Sequence, residues 1–400
     1  MPAQQDELFL CMRKTSDGLY VLHFPFISFS DLHLGSRSSR AKRACMMLGN
    51  TSCNRLDGVG DIIDGLHLMK KSRLYMGPWH KQAIAHLLRK AGEGTEVNIY
   101  PGNHEVGMRE KIGKGKTLYD VHLLPFGEYI DPKGRRLKIE HSDLYDRQVF
   151  ETEEDQANWY VWGDLLFEGV QEFDRTMQGL PFKRMEKFSI AARVKRMAKE
   201  RINKRLGIQD AIEKDIDQGP YDGMIYGHTH IKGFHRTPGG KLLINDGCGT
   251  EHFEFVAIDV YGNIGIVTWH RDGMNIEMES GREYFVSWQE LGKKYNVDLN
   301  HFSQDPVMIE DEYTKKADRV LGLAYRMWPS EELVACKKLW DSCTSIINQN
   351  GALPSVLMEN FLRAEWKIRE AQDILRQLSG RGRTIYVPNS NLEDDLILTP

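Results

Sequence analysis

His23-Phe24-Pro25-Phe26-Ile27-Ser28-Phe29-Ser30-Asp31-Leu32-His33, residues 23–33, decides the fold. An apolar run long enough for one strand ends abruptly in a carboxylate and an imidazole two residues apart. Four later segments repeat the design: Gly60-Asp61-Ile62-Ile63-Asp64, Gly102-Asn103-His104-Glu105, His141-Ser142-Asp143 and Gly227-His228-Thr229-His230. Each alone is a common pattern. All five in this order, each at a predicted strand-to-loop junction, point to one shared site. Polar ligands leaving the carboxyl ends of strands predict an α/β layered fold with that site on its rim.

Asp31, His33, Asp61, Asn103, His141, His228 and His230 offer carboxylate, amide and imidazole groups for two adjacent divalent metals. Asp61 is the natural bridge. Asp31, His33 and His230 complete one metal with it, and Asn103, His141 and His228 complete the other. Mixed oxygen and imidazole donors suit Mn, Fe, Zn or Co better than Ca, with Mn the first expectation. Asp64 and Asp143 are placed to orient imidazoles from behind. His104 adjoins a ligand and is better placed to donate a hydrogen bond to a phosphate or a proton to a leaving oxygen. Glu105 is expected to hold that imidazole in one tautomer. Gly35, Gly60, Gly102 and Gly227 allow the tight turns such loops need. Isolated histidines such as His67, His86, His122 and His235 read as surface or packed residues. Two close metals suit in-line displacement at phosphorus, because one cluster holds the attacking oxygen and clamps the phosphate.

Strands are predicted over 23–29, 95–100, 136–140, 223–226 and 241–245, with a hairpin of 253–260 and 264–269 around Gly262-Asn263. The stretch Arg55-Leu56-Asp57-Gly58-Val59 is poor in apolar residues for a buried strand. Pro78 to Lys90 reads as a helix. Between His141 and His228 lies a long insert, helical by pattern over about 158–217. Its window 183–205 holds ten Lys/Arg against two Glu. Phe188, Ala191, Val194, Ala198 and Ile202 give it an apolar face opposite a basic one. It reads either as a solvated surface helix or as a cap on an anionic, partly apolar ligand or a membrane surface. Arg193, Lys195, Arg196 and Lys199 are the candidate substrate contacts.

After residue 275 the pattern turns helical. Ser287, Ser330 and Ser355 read as helix caps. Leu333, Cys336, Trp340, Cys343 and Ile347 mark one apolar stripe, and Leu357, Phe361, Ala364, Ile368, Ala371, Leu375 and Leu378 another. An antiparallel helical hairpin is expected, as a docked appendage or a surface for homo-oligomers. The organisation is thus an N-terminal segment (1–22), a main domain (23–275), a helical extension (276–380) and a tail (381–400).

The chain has 400 residues, 28% charged, and a net charge of -4, which argues against a surface that coats nucleic acid everywhere but leaves room for a local basic patch. No run of about 18 apolar residues predicts a membrane span. The first residues lack a secretory pattern, and six cysteines without a paired spacing read as free thiols of the cytoplasm.

These motifs resemble the calcineurin-like metallophosphoesterase superfamily over about residues 24–270. Ser30-Asp31-Leu32-His33-Leu34-Gly35-Ser36-Arg37, Gly60-Asp61-Ile62-Ile63-Asp64-Gly65 and Trp162-Gly163-Asp164-Leu165 look like its UDP-2,3-diacylglucosamine pyrophosphohydrolase group. The resemblance implies a four-layer α/β/β/α sandwich carrying the helical insert and the C-terminal extension, with a dinuclear metal centre. It also implies cleavage of a nucleotide-linked lipid such as UDP-2,3-diacylglucosamine at the inner face of the membrane, with the insert as a cap over the acyl chains. Glu105 and Ser142 stand where the superfamily has Asp and Gly, and the lipid enzymes carry Arg at the position of His104. The rival readings are a phosphodiesterase or phosphatase acting on nucleic acid, nucleotides or phosphoprotein, and a scaffold without catalysis.

Overall fold

The run read from residue 23 becomes the centre of a large mixed sheet. A computed structural model describes residues 7–36, 38–66, 77–105, 107–146, 207–250, 253–306, 308, 310–328, 331–350, 353 and 355–379. The strands are β1 (Cys11–Lys14), β2 (Tyr20–Phe29), β3 (Thr51–Val59), β4 (Glu96–Tyr100), β5 (Lys116–Leu118), β6 (Val121–Leu123), β7 (Gly127–Ile130) and β8 (Arg136–Ile139). They continue with β9 (Gly223–Tyr226), β10 (Gly233–Arg236), β11 (Leu242–Asn245), β12 (Glu254–Ile258), β13 (Ile264–Trp269), β14 (Gly273–Met278) and β15 (Glu283–Ser287). The helices are α1 (Ala41–Asn50), α2 (Pro78–Gly92), α3 (Met108–Ile112), α4 (Asp143–Asp146), α5 (Ile208–Gln218), α6 (Trp288–Tyr295), α7 (Glu312–Met327), α8 (Glu331–Asn350) and α9 (Ser355–Ser379).

Among the described residues the large sheet runs β15-β14-β13-β12-β2-β3-β4-β6-β5, with β1 also paired to β2, and the small sheet runs β10-β11-β9-β8-β7. β2, β3 and β4 are parallel neighbours, as are β8, β9 and β11. The two sheets pack face to face through Phe26, Val59, Tyr100, Leu137, Ile225 and Ile244. α1, α2 and α7 cover the outer face of the large sheet, burying Ala44, Leu48, Ile84, Leu87, Ala317 and Leu321. α5 covers the small sheet, its Ile208, Ile212 and Ile216 at helical spacing against Met224, Tyr226 and Leu243. The result is the expected four-layer α/β/β/α sandwich with helices appended at the C-terminal end.

Local chemistry sets the element ends. Pro78 opens α2 with its ring in the first turn, where no backbone donor is needed. Ser287 Oγ accepts the N–H of Glu290 at the start of α6. Asp311 and Thr314 form a reciprocal capping box on α7, a helix the sequence reading did not separate out. The expected pairing of the last two helices is present: Trp340 of α8 stacks on Phe361 of α9 at 6.4 Å. Ala364, Ile368 and Ala371 of the predicted stripe are buried. Ser330 and the basic insert lie outside the described residues. All six cysteines are free thiols. Among the described residues no helix is long and apolar enough to cross a membrane.

Two expectations differ from the structure. The large sheet passes both limits expected for the main domain: β1 adds to it before residue 23, and β14 and β15 carry it beyond 275. The polar stretch 55–59 is fully strand, the end of β3. It tolerates Asp57 in the interior because that carboxylate accepts from Arg55 Nε (3.0 Å), Asn98 Nδ2 (2.9 Å) and Tyr100 Oη (3.0 Å). Arg55 in turn lies over the rings of Phe26 and Tyr129. A buried charge is tolerated when it is paired and hydrogen-bonded.

Removing one partner of that pair exposes its cost. Asp57→Ala is expected to lose about 3–5 kcal/mol of stability, because Arg55 is left uncompensated. Denaturant unfolding would read this as a lower midpoint at unchanged slope; a loss below about 1 kcal/mol would show the network to be dispensable. His86, buried in α2, gives a pH signature. Burial, then Arg89 and Lys90, hold its imidazole down to about 3, so the folded chain binds fewer protons there than the unfolded chain. The stability contributed by neutral His86 is complete above about pH 6.5 and drains away as the pH falls toward that lower value. Unfolding free energies from urea titrations at pH 7.5 and 5 should differ by about 2 kcal/mol more in the wild type than in His86→Leu.

Candidate metal centre

Parallel neighbours end on the same side, so the five polar loops converge on one rim. Asp31 and His33 follow β2, Asp61 and Asp64 follow β3, and Asn103 and His104 follow β4. His141 follows β8, and His228 and His230 follow β9 of the facing sheet. Backbone bonds stitch the first two loops together: Asp31 N–H donates to Gly60 O (3.0 Å) and His33 N–H to Asp61 O (2.8 Å). Across the sheets, His228 N–H donates to Asp31 Oδ2 at 3.1 Å.

The backbone is strained where the side chains matter. Asp31, His33, Asp61, Ser142, His228 and His230 all have left-handed φ, between 46° and 76°. For residues with a Cβ this costs on the order of 1–3 kcal/mol each and persists only where the surroundings impose it. Contact between the sheets is equally tight. A Cβ on Gly60 would run into the ring of His141, and one on Gly102 into the carboxylate of Asp61.

The expected ligands come together in two groups. The ligand atoms of Asp31, His33 and His230 lie within 4.8 Å of one another, and so do those of Asp61, His141 and His228. Asp61 Oδ2 sits between the groups, 3.3 Å from His141 Nε2 and 3.8 Å from His33 Nε2. His230 Nε2 lies 2.8 Å from Asp31 Oδ1. The far sides of three of these rings are engaged by contacts outside the groups. His141 Nδ1 donates to Val59 O (2.6 Å), His33 Nδ1 faces Asp64 Oδ2 (3.4 Å), and His230 Nδ1 meets Cys248 Sγ (3.2 Å). Such contacts fix the tautomer and aim Nε2 inward.

Donor chemistry tests whether metal fits. Asp31 Oδ1, His33 Nε2, Asn103 Oδ1 and His141 Nε2 are buried and make no well-directed hydrogen bond; the near neighbours of Asp31 Oδ1 and His141 Nε2 are other ligand atoms, His230 Nε2 and Asp61 Oδ2. Buried polar atoms are rarely orphaned, and four such atoms among the seven expected ligands suit a set shaped to hold ions. Charge agrees. Asp31, Asp61 and Asp64 are buried, and His33 lies 3.8 Å, 3.8 Å and 3.4 Å from their carboxylates. Burial opposes charge on His141 and His104, yet the carboxylates of Asp61 and its neighbours push them up to about 10 and about 9. The site calls for positive charge, which divalent cations would supply.

The remaining predicted residues sit nearby, some with other duties. His104 donates from Nδ1 to Asp64 Oδ1 (3.0 Å) and turns Nε2 toward Asp61 Oδ2 (3.9 Å). Asp64, rather than Glu105, therefore sets the His104 tautomer. Glu105 accepts the backbone N–H groups of Asp61 (2.9 Å), Ile63 (2.9 Å) and Gly102 (2.8 Å), because its side chain turns back beneath the loops. Asp143 does not reach back to an imidazole. It pairs with Arg109 at 2.5 and 2.6 Å, and Arg109 also donates to Pro101 O, tying the Asn103 loop to the His141 loop. Arg193, Lys195, Arg196 and Lys199 lie outside the described residues.

Asp246, Cys248 and Arg109 escaped the sequence reading. Ser30 Oγ touches Asp31 Oδ2 and lies 2.6 Å from Asp246 Oδ1. One hydroxyl has one proton for two carboxylates, and burial holds the Asp246 carboxyl well above the usual carboxylate range. Asp246 follows β11 as the other acids follow their strands, and that placement was a usable signal. Cys248 and Arg109 had none.

Compared with known proteins, the sequence matches no family model and no curated protein. Solved structures show remote likeness. A single mutant of Vps29 from Entamoeba histolytica aligns at 11% identity over 66% of this chain and 98% of that one, with a TM-score of 0.29. Vacuolar protein sorting 29 from Cryptosporidium parvum gives 12%, 65%, 97% and 0.29. A conserved uncharacterized protein from Streptococcus pneumoniae, described as a predicted phosphoesterase, gives 10%, 65%, 97% and 0.24. Scores this low carry no inference, and the geometry above stands without them.

The geometry sets an expected metal stoichiometry. Asp61→Ala should lose both ions, since its carboxylate lies between the two groups, whereas His104→Ala should keep both. Metal analysis after dialysis would read this directly; a retained pair in Asp61→Ala removes the bridge.

Proposed function

We propose that this protein is a metal-dependent hydrolase of phosphoester or phosphoanhydride bonds. The observation that carries the reading is the orphaned, inward-facing set of ligand atoms on strained loops of two facing sheets. Asp31, His33 and His230 would hold one ion and Asn103, His141 and His228 the other, with Asp61 between them; Mn is the first candidate, with Fe, Zn and Co behind it. Bound there, divalent ions polarise a phosphoryl oxygen and neutralise charge that develops at phosphorus.

The chain's own residues do the rest. Val59 O, Asp64 and Cys248 hold the imidazoles in one tautomer, and Glu105 anchors the loop backbones from below. Asp64 fixes a proton on His104 Nδ1, so the opposite nitrogen is the one that faces the reacting group. In its protonated form His104 donates a hydrogen bond to a phosphoryl oxygen or a proton to the leaving oxygen. Burial excludes water from these contacts and strengthens each of them.

The substrate proposed is UDP-2,3-diacylglucosamine or a similar nucleotide-linked lipid. Its support is the motif resemblance together with the basic, amphipathic insert, which would act as a cap at the inner membrane face. A nucleic-acid or nucleotide diester is the rival substrate, because the same basic residues suit phosphate tracking.

With added Mn, hydrolysis of UDP-2,3-diacylglucosamine is to be compared with that of bis-p-nitrophenyl phosphate. The proposed activity predicts turnover abolished by chelation and by Asp61→Ala, and slowed on the order of 10²–10⁴-fold in His104→Ala. Turnover of the generic diester alone would overturn the lipid substrate but keep the chemistry; no turnover of either would overturn the hydrolase. Changing Arg193, Lys195, Arg196 and Lys199 together to Ser should raise KM for the true substrate and leave metal content intact.

A further inference from the structure

The C-terminal helices reach the reaction centre from behind. α7 is anchored on α2 by Arg89–Asp311 (2.7 Å) and Lys81–Asp318 (2.8 Å), and it buries Ala317 and Leu321 in the main core. Near its end, Tyr325 packs with Ile368 and Ala371 of α9. Trp328, which caps the helix and is 2% exposed, packs instead with Ile63 of the β3 loop and Met108 at the start of α3.

The contact with Gly65 leaves no free volume. A Cβ there would lie 2.5 Å from Trp328 Cδ2 and 2.9 Å from the carbonyl oxygen of His104. Leu66 N–H donates to that same carbonyl at 3.1 Å, and Asp64 Oδ1 accepts from His104 Nδ1 at 3.0 Å. Residues 64–66 therefore grip His104 at both its backbone and its side chain, and the Trp328 indole lies against the middle of that grip. An indole buries a large rigid surface with few rotatable bonds, which suits it to fixing a loop.

We propose that Trp328 is a positioning residue for His104, and that the C-terminal extension is thereby part of the reaction centre. The inference rests on the reading of His104 as a group that acts on substrate. Misplacing such a group by about 1 Å can cost on the order of 100-fold in rate, without touching metal or substrate affinity.

The test uses the full chain and two independent readouts. With Mn and bis-p-nitrophenyl phosphate, Trp328→Ala should lower kcat by about tenfold or more while KM and metal content hold. Trp328→Phe should recover most of the loss, and Trp366→Ala, on an exposed face of α9, should change nothing. In metal-free protein without substrate, amide hydrogen exchange over 62–66 and 103–105 should quicken about tenfold in Trp328→Ala while β12 and β13 keep their protection. Gly65→Ala disturbs the same contact from the other side and should reproduce both effects, which covers the case in which Trp328→Ala does not fold. Unchanged exchange overturns the inference whatever the activity does. Quickened exchange with unchanged kcat overturns the link to His104. If the wild type turns over no phosphoester, the hydrolase reading fails, while exchange still decides whether Trp328 holds the His104 loop.

Discussion

Buried negative charge is the constraint around which this structure is arranged. Asp31, Asp61 and Asp64 sit at one rim with Glu105 and Asp246 close behind, all nearly inaccessible to water. Isolated carboxylates in such a place would be prohibitively costly. They are answered in different ways: backbone amides for Glu105, the Ser30 hydroxyl for Asp246, imidazoles for the other three. Those three still sit beside orphaned donors, and a divalent cation is what both the charge and the lone pairs ask for. The left-handed loops, the glycines without room for a Cβ and the docking of two sheets face to face all serve to assemble that arrangement.

The five loops were legible because each announces itself twice, once as the end of an apolar run and once as an oxygen or imidazole donor. From strand polarity alone, Asp31 through His230 could be placed on one rim, and the layered architecture followed. The interior of β3 was harder. Arg55 and Asp57 look wrong for a buried strand until Asn98 and Tyr100, some forty positions later, are seen beside them. Pattern reading weighs neighbours in sequence, and this network is made of neighbours in space. The same limit explains Glu105 and Asp143. Their identity marked them as belonging to the site, but the side-chain direction that sends one under the loops and the other to Arg109 is set by tertiary packing. Trp328 is the extreme case, since nothing in a helix end at residue 328 hints at a glycine at 65.

Rigidity is distributed unevenly. The core between the sheets is mostly aliphatic and aromatic, and Asp57 within it is satisfied by Arg55, Asn98 and Tyr100. The rim carries strain and unpaired atoms, and stability given up there is offset by α1, α2 and α7 packed against the large sheet. The helical layer and the reactive rim are thus two parts of one balance, and Trp328 is where they touch.

Strand order has a consequence for how the chain is born. β2, emerging early, completes its hydrogen bonding only when β12 arrives, more than two hundred residues later. The acid-bearing loops after β2 and β3 leave the ribosome well ahead of His141, His228 and His230, which come with the other sheet. For that interval the nascent chain holds Asp31, Asp61 and Asp64 with only His33 and His104 as imidazole partners, and residues 26–28 of β2 lack their β12 partner. Non-local pairing of this kind is slow and exposes sticky edges. The vulnerable species of this protein is therefore its own first half, and the segment most worth shielding during synthesis is the strand with which the fold begins.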